Sequence, residues 1–129
     1  MRPLLLALLL LASACTKTYI VPAQQDVTPT PTPVPVTHTI EFRVLGTVPL
    51  TDITYGSAET GSTLTQTTLP WTASFKTTAT SVFVYLKAQS SFNGTITAQV
   101  FVDGKFFREA TNNFMGSFNV ADASGTVVF

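Results

Sequence analysis

Three kinds of side chain in this 129-residue chain could carry covalent or coordination chemistry: one cysteine, one histidine and a small set of carboxylates. The cysteine is Cys15, in LLLASACTK, and the histidine is His38. The acids downstream of His38 are Glu41, Asp52, Glu59, Asp103, Glu109 and Asp122. A zinc site needs several nitrogen or sulfur ligands, and one His and one Cys do not supply them. A serine triad needs a histidine beside a serine and an acid, and no nucleophile-elbow sequence is present. His38 reads as a solvated residue at the start of the first strand. Two carboxylates could still converge in space as a hydrolytic pair, but short strands with threonine-rich loops offer little pocket to hold one. Asp52, Glu59 and loop carbonyls could bind calcium, yet no loop has the dense acidic spacing of a calcium site. The expectation is a protein that is not an enzyme and needs no cofactor and no metal.

Charge excludes further classes. Seven Lys and Arg balance seven Asp and Glu, and charged residues are only 11% of the chain. No basic surplus points to nucleic acid, and no polybasic cluster points to anionic lipid. Threonine is frequent, phenylalanine occurs ten times, and strong helix formers are scarce beyond the first residues. That composition favours strands.

Cys15 is explained by what precedes it. Arg2 supplies a short positive region, Leu4 to Leu11 an apolar run, and Ala12-Ser13-Ala14 the small residues of a cleavage site. That is the layout of a secretory signal. The run is too short to cross a bilayer, which takes about 20 residues. Leu11-Ala12-Ser13-Ala14-Cys15 resembles the lipobox of bacterial lipoproteins, although a leucine is commoner where Ala12 stands. The resemblance implies a signal over residues 1–14, cleavage before Cys15, and lipidation of that cysteine. Thr16 rather than Asp after the cysteine implies the outer membrane in a Gram-negative cell. The alternative is a plain secretory signal cleaved nearby, which leaves a free thiol with no second cysteine to pair.

Residues 15–37 then read as an anchor and linker. Prolines 29, 31, 33 and 35 alternate with threonine or valine. Each proline fixes its own φ and biases its predecessor toward extended backbone. A spacer of about 3 Å per residue follows. Whether it is a stalk of set length or a disordered connection stays open, and either way it packs into no core.

Residues 38–129 carry a period of two. HTIEFRVLG puts Ile40, Phe42 and Val44 on one face; SVFVYLKAQ does the same with Val82, Val84, Leu86 and Ala88; GTITAQVFV with Ile96, Ala98, Val100 and Val102. Such alternation marks half-buried strands. LTDITYG reads as a short strand, and STLTQTTLPWTASFKT alternates around a break at Pro70. Asp103-Gly104 stands between strand-like runs as a two-residue hairpin signal, because both turn positions need positive φ. GSFNV and GTVVF read as the last strands. The expected fold is all-β, an immunoglobulin-like sandwich of seven to eight short antiparallel strands.

A two-residue turn sets Phe101 opposite Phe106 and Val100 opposite Phe107. If Val100 and Phe107 point inward, Phe101 and Phe106 point outward together. Phe83 and Tyr85 fall on the face opposite their strand's valine-leucine row. These four aromatics form a candidate binding patch, unless a loop or neighbouring strand covers them. Asp103 reads as a turn residue and Trp71 as core or an edge plug.

VLGTVPLTDITYG, TTLPWTASF and ITAQVFVDGK, in this order, resemble the periplasmic domain of the MmpS family, small mycobacterial membrane proteins that serve RND-type lipid exporters. The similarity spans residues 39 to 112, with Ile53-Thr54-Tyr55, Leu69-Pro70-Trp71 and Val102-Asp103-Gly104 as its islands. It implies an immunoglobulin-like sandwich outside the cytoplasm. The chain departs from the family in carrying a lipobox where the family has a membrane helix. It also lacks the family's disulfide: Ala98 stands near the first cysteine position and no second cysteine follows.

The expected function is therefore a lipid-anchored, extracytoplasmic interaction module of the bacterial cell envelope. It would be held to the membrane by Cys15 and dock onto an envelope protein, as an accessory to a transporter. The alternative is an envelope lipoprotein that binds glycans or lipids on its aromatic face, since rings stack on sugar faces.

Overall fold

The computed structural model describes residues 17–26 and 28–129. The chain divides into two units, Met1–Thr32 and Pro33–Phe129. Residues 17–26 and 28–37 are exposed and contain neither helix nor strand. From His38 onward there are nine strands: β1 (His38–Gly46), β2 (Thr51–Ser57), β3 (Gly61–Thr67), β4 (Trp71–Thr77), β5 (Ser81–Ser90), β6 (Gly94–Val102), β7 (Lys105–Phe114), β8 (Asn119–Asp122) and β9 (Gly125–Val128). No helix among the described residues is long and apolar enough to cross a membrane.

The strands form two antiparallel sheets. The first has the order β4-β1-β6-β7, and the second the order β3-β2-β5-β8, with β9 also paired to β5. β5 passes from β8 to β9 along its length: Lys87 to Ser90 pair with β8, and Ser81 to Val84 pair with β9. The fold is a β-sandwich, as the period-two pattern predicts, with nine strands where the sequence indicates seven or eight. The additional strand arises because ASFKT and the threonine-rich stretch before Pro70 form two separate strands, β4 and β3, in different sheets. The Leu69–Pro70 peptide bond between them is cis.

The predicted inward rows meet between the sheets. Ile40, Phe42 and Val44 of β1 and Ile96, Ala98 and Val100 of β6 face Ile53 of β2 and Val84, Leu86 and Ala88 of β5, all fully buried. Phe42 is the largest of them, and its ring lies 5.5 Å from that of Tyr55 and 5.9 Å from that of Phe75. Trp71 packs its edge on Tyr55 at 4.7 Å, as a plug at the β4 margin of the core. Ala98 pairs with Ala110, and both lie against the core, so the position that resembles a family cysteine is filled by a small apolar side chain.

The β6–β7 hairpin turns at Asp103 (φ 49°) and Gly104 (φ 75°), the two positive φ values the Asp-Gly signal requires. Val102 pairs with Lys105 and Phe101 with Phe106, as the two-residue turn dictates. The next expected pair does not form. A bulge between Val100 and Phe101 sets Val100 opposite Arg108 and leaves Phe107 as the extra residue. Phe107 still packs against the core, and the bulge directs Arg108 over the β8–β9 connection, where it hydrogen-bonds the Ser124 carbonyl.

Candidate functional site

Cys15 lies outside the described residues. The remaining candidates fall at three places on the sandwich.

The first is the outer face of the β4-β1-β6-β7 sheet. Phe101 and Phe106, joined by the hairpin register, meet edge to face with centroids 6.0 Å apart and planes at 83°. Phe106 is 61% exposed, while Phe101 is half-buried. Arg43 of β1, which pairs across to Gln99, reaches over the Phe101 ring with its guanidinium carbon 4.3 Å from the centroid. Glu41 accepts from Arg43 Nε at 2.5 Å, and this bond raises the Arg43 pKa above its ordinary value. Further along the face, Gln99 Nε2 donates to Glu109 at 2.6 Å, and the Thr97 and Thr111 hydroxyls meet at 3.0 Å. The face is a polar ladder that ends in two aromatic rings and a cation.

The second place is the outer face of the other sheet, where β5 carries Phe83 and Tyr85. The structure therefore divides the four aromatics expected to form one patch. Phe101 and Phe106 share a face, and Phe83 and Tyr85 lie on a different sheet because β5 pairs with β2 rather than with β6. Tyr85 stands opposite Gly56, and its hydroxyl lies where a Cβ on Gly61 would sit, 1.6 Å away. The bare Gly61 backbone makes room for the hydroxyl end of its ring, and the residue is half-buried. Phe83 is more exposed and borders a cleft of about 240 Å³ with Phe75, Val82, Glu59 and Lys76. This cleft opens between the β2–β3 connection, β4 and the start of β5.

The third place is the root of the sandwich, at the start of β1. His38 is not simply solvated. Its side chain is 20% exposed, its Nδ1 lies 2.7 Å from Asp103 Oδ2, and its ring stacks on Phe129 at 3.8 Å. The other oxygen of Asp103 accepts from the Thr39 amide at 2.7 Å. The hydrogen bond from His38, and then that from the Thr39 amide, hold the Asp103 carboxyl below the usual carboxylate range. Asp103 is thus a turn residue, as its Asp-Gly setting predicts, and also the clamp that fastens the hairpin to the first residues of β1. Sixty-five positions separate the partners, so no local pattern announces the contact.

Asp52, Glu109 and Asp122 each have a partner of their own in a different part of the domain, and Glu59 borders the cleft. Asp52 accepts from the Gln66 amide at 2.9 Å, Glu109 from Gln99, and Asp122 from the Ser124 hydroxyl. Among the described residues, no three of His, Cys, Asp and Glu gather where a metal ion could bind.

Sequence reading left one group of residues unassigned. Phe92 in the β5–β6 connection and Phe114, Met115 and Phe118 in and beside the β7–β8 connection are all exposed large apolar side chains. The two connections are neighbours: Gly94 pairs with Phe114, and Asn119 Nδ2 donates to the Gly94 carbonyl at 2.7 Å. The available signal was the absence of charge from the surrounding segments.

The domain is an all-β sandwich of nine strands with outward aromatics and dispersed acids. The chain belongs to the family described as Mycobacterium membrane protein, which matches it over residues 10–122. That match agrees with the resemblance to the MmpS proteins drawn from the ordered islands between residues 39 and 112. No curated protein matches the chain.

Proposed function

We propose that this protein is a non-enzymatic accessory of the mycobacterial type: a sandwich domain tethered to the membrane through lipidated Cys15 and a proline-rich spacer, docking onto an envelope protein. Its membership of a membrane-protein family supports the setting. The observation that carries the docking role is the Phe101–Phe106 pair, two rings joined by register on an outward sheet face, with Arg43 above one of them. Aromatic and arginine side chains are the groups that dominate the energetics of protein interfaces. Tethering raises the effective concentration of the domain at the membrane, so weak docking suffices. Acyl chains on Cys15 would supply the tether at about 0.8 kcal/mol for each buried methylene.

The test is crosslinking in cells of tagged full-length protein, purification from membranes and identification of the captured proteins. A transporter or other envelope protein captured with the wild type, lost in Cys15→Ser and reduced in the Phe101→Ala/Phe106→Ala variant is the expected result. Capture that is indifferent to both changes refutes the reading.

The cleft beside Phe83 favours a second reading, in which the domain binds a glycan or lipid at that site. Titration of intrinsic fluorescence with envelope glycans and lipids decides it. A response abolished by Phe83→Ala supports the site, and a flat response across the panel removes it.

A further inference from the structure

β3 (Gly61–Thr67) ends its sheet, with β2 on one side and no strand of the chain on the other. The Ser57 amide donates to the Thr60 carbonyl at 2.6 Å, and from there the register runs unbroken from Gly56–Gly61 to Ile53–Leu64. Antiparallel ladders bond every second pair, so Ser62 and Leu64 bond to β2, while Gly61, Thr63 and Thr65 turn their amides and carbonyls to the open side. The next ladder agrees: the Ala58 amide donates to the Phe83 carbonyl, which commits Gly56 and Thr54 to β5 and leaves Tyr55 and Ile53 for β3. A bulge opposite Thr51 to Ile53, with Gln66 at φ 52°, closes the far end, so the regular edge is Gly61 to Thr65. Folded proteins guard such edges with charge, proline, short length or a covering segment. Among the described residues, the other end strands are guarded in these ways. β4 carries the exposed Lys76. β7 carries Lys105 and Arg108, and its Arg108 and Asn112 side chains donate to the carbonyls of Ser124 and Val120, which lie along it. β8 and β9 have four residues each. Gly61 to Thr65 has no charge, no proline and no covering segment in its sheet.

We infer that this edge pairs with the same edge of a second copy of the chain, antiparallel about a two-fold axis at Thr63, so that one sheet runs through both copies. In that register Thr63 exchanges both of its backbone bonds with Thr63 of the other copy, and Gly61 and Thr65 exchange theirs with each other across the axis. The side chains select the occupant. A two-fold contact sets each residue of the strand against a residue of the same strand, so a charge near the axis would meet its own like, and Gly61 to Thr65 carries none. Thr63 Oγ1 already lies 3.3 Å from Thr54 Oγ1 within one copy, and the axis extends this pair into a row of four threonine hydroxyls. Threonine pairs across strands are among the favourable ones. The Tyr85 hydroxyl occupies the place of a Cβ on Gly61, and the residue brought opposite is Thr65, small and hydroxylated. Ser62 comes opposite Leu64. The segment thus matches itself in charge, size and hydroxyl position. An edge suited to a charged or apolar strand of another protein would carry the complementary charge or an apolar row, and Leu64 is the single large apolar side chain here. Phe101 and Phe106 lie on the other sheet, so the inference goes beyond the docking reading and does not depend on it.

The test uses full-length protein in the membranes of the cells that make it. Thr63→Cys, Thr65→Cys and, on the β4 edge, Thr72→Cys are oxidised with copper phenanthroline and run on non-reducing gels, with the wild type as background for Cys15. Across the axis Thr63 meets itself at about 5.5 Å between Cα atoms, within the span of a disulfide. Thr65 stands more than about 13 Å from its own copy, four strand residues away, beyond that span. The expected result is a reducible dimer at Thr63→Cys, several-fold above Thr65→Cys, Thr72→Cys and the wild type. No excess at Thr63→Cys, or equal yields at Thr63→Cys and Thr65→Cys, overturns the inference. A reducible adduct of a different mass would put another protein's strand on the edge and overturn it too. The dimer should persist when Phe101→Ala and Phe106→Ala are added, and its loss there would make it a by-product of docking. A second measurement places like charges on the axis. In detergent, light scattering should give a dimer for concentrated wild type and a monomer for Thr63→Lys, with the same circular dichroism spectrum; equal masses refute the pairing.

Discussion

Replacing Phe106 and Phe42 separately by alanine tests the assignment of an outward docking face with a number. A phenylalanine presents about 200 Å² for burial. Phe42 is fully buried between the sheets, whereas Phe106 is 61% exposed. Only about 80 Å² of Phe106 is therefore withdrawn from water, worth at most about 2 kcal/mol at 25 cal/mol per Å². Phe42→Ala removes the whole ring, leaves a cavity beside Tyr55 and Phe75, and should cost about 3–5 kcal/mol. At about 4–8 °C per kcal/mol for a domain of this size, Phe42→Ala should lower the melting temperature by roughly 12–40 °C. Phe106→Ala should lower it by at most about 8–16 °C on the same scale. Thermal melts followed by circular dichroism read both values, and the crosslinking yield measured on the same samples reads docking. Phe106→Ala should lose capture while keeping most of its stability, and Phe42→Ala should lose stability first. If Phe106→Ala destabilises as severely as Phe42→Ala, the ring is a structural element and the docking face is wrongly placed.

Other consequences follow from the hairpin and the anchor. Asp103 has a folded-state pKa below its ordinary value, so its contribution to stability is present above the usual carboxylate pKa and is lost as pH falls through the lowered folded value. Asp103→Asn keeps a residue that tolerates positive φ, and should flatten the acid side of the stability-versus-pH curve relative to wild type; identical acid limbs would show that the His38 contact carries no charge linkage. Gly104 has φ of 75° with open space around its Cβ position, so Gly104→Ala should cost only the backbone term, about 1–2 kcal/mol, in denaturant melts. A loss much beyond that would mean the turn is also packed. Cys15→Ser should move the protein from the membrane pellet to the soluble extracytoplasmic fraction, and retention in the pellet would show that Cys15 is not the anchor.

The sequence by itself determined which side chains of each strand face the core. Ile40, Phe42 and Val44, the Val84-Leu86-Ala88 row and the Ile96-Ala98-Val100 row are buried as their alternation requires, because a strand's side chains change sides at every residue whatever it pairs with. The Asp103-Gly104 hairpin was legible for the same kind of reason: its two positive φ values are a local demand met by two local residues. Tertiary structure decided everything that depends on which strands become neighbours. Alternation says that Phe83 and Tyr85 face away from the core, but only the pairing of β5 with β2 places them on a different sheet from Phe101 and Phe106. The bulge at Phe107 shifts the hairpin register beyond the reach of the turn rule. Asp103 meets His38, and Asn119 reaches the Gly94 carbonyl, only when distant segments close onto one another. Inside and outside are properties of a single strand. A site assembled from several strands exists only once long-range pairing has chosen its members.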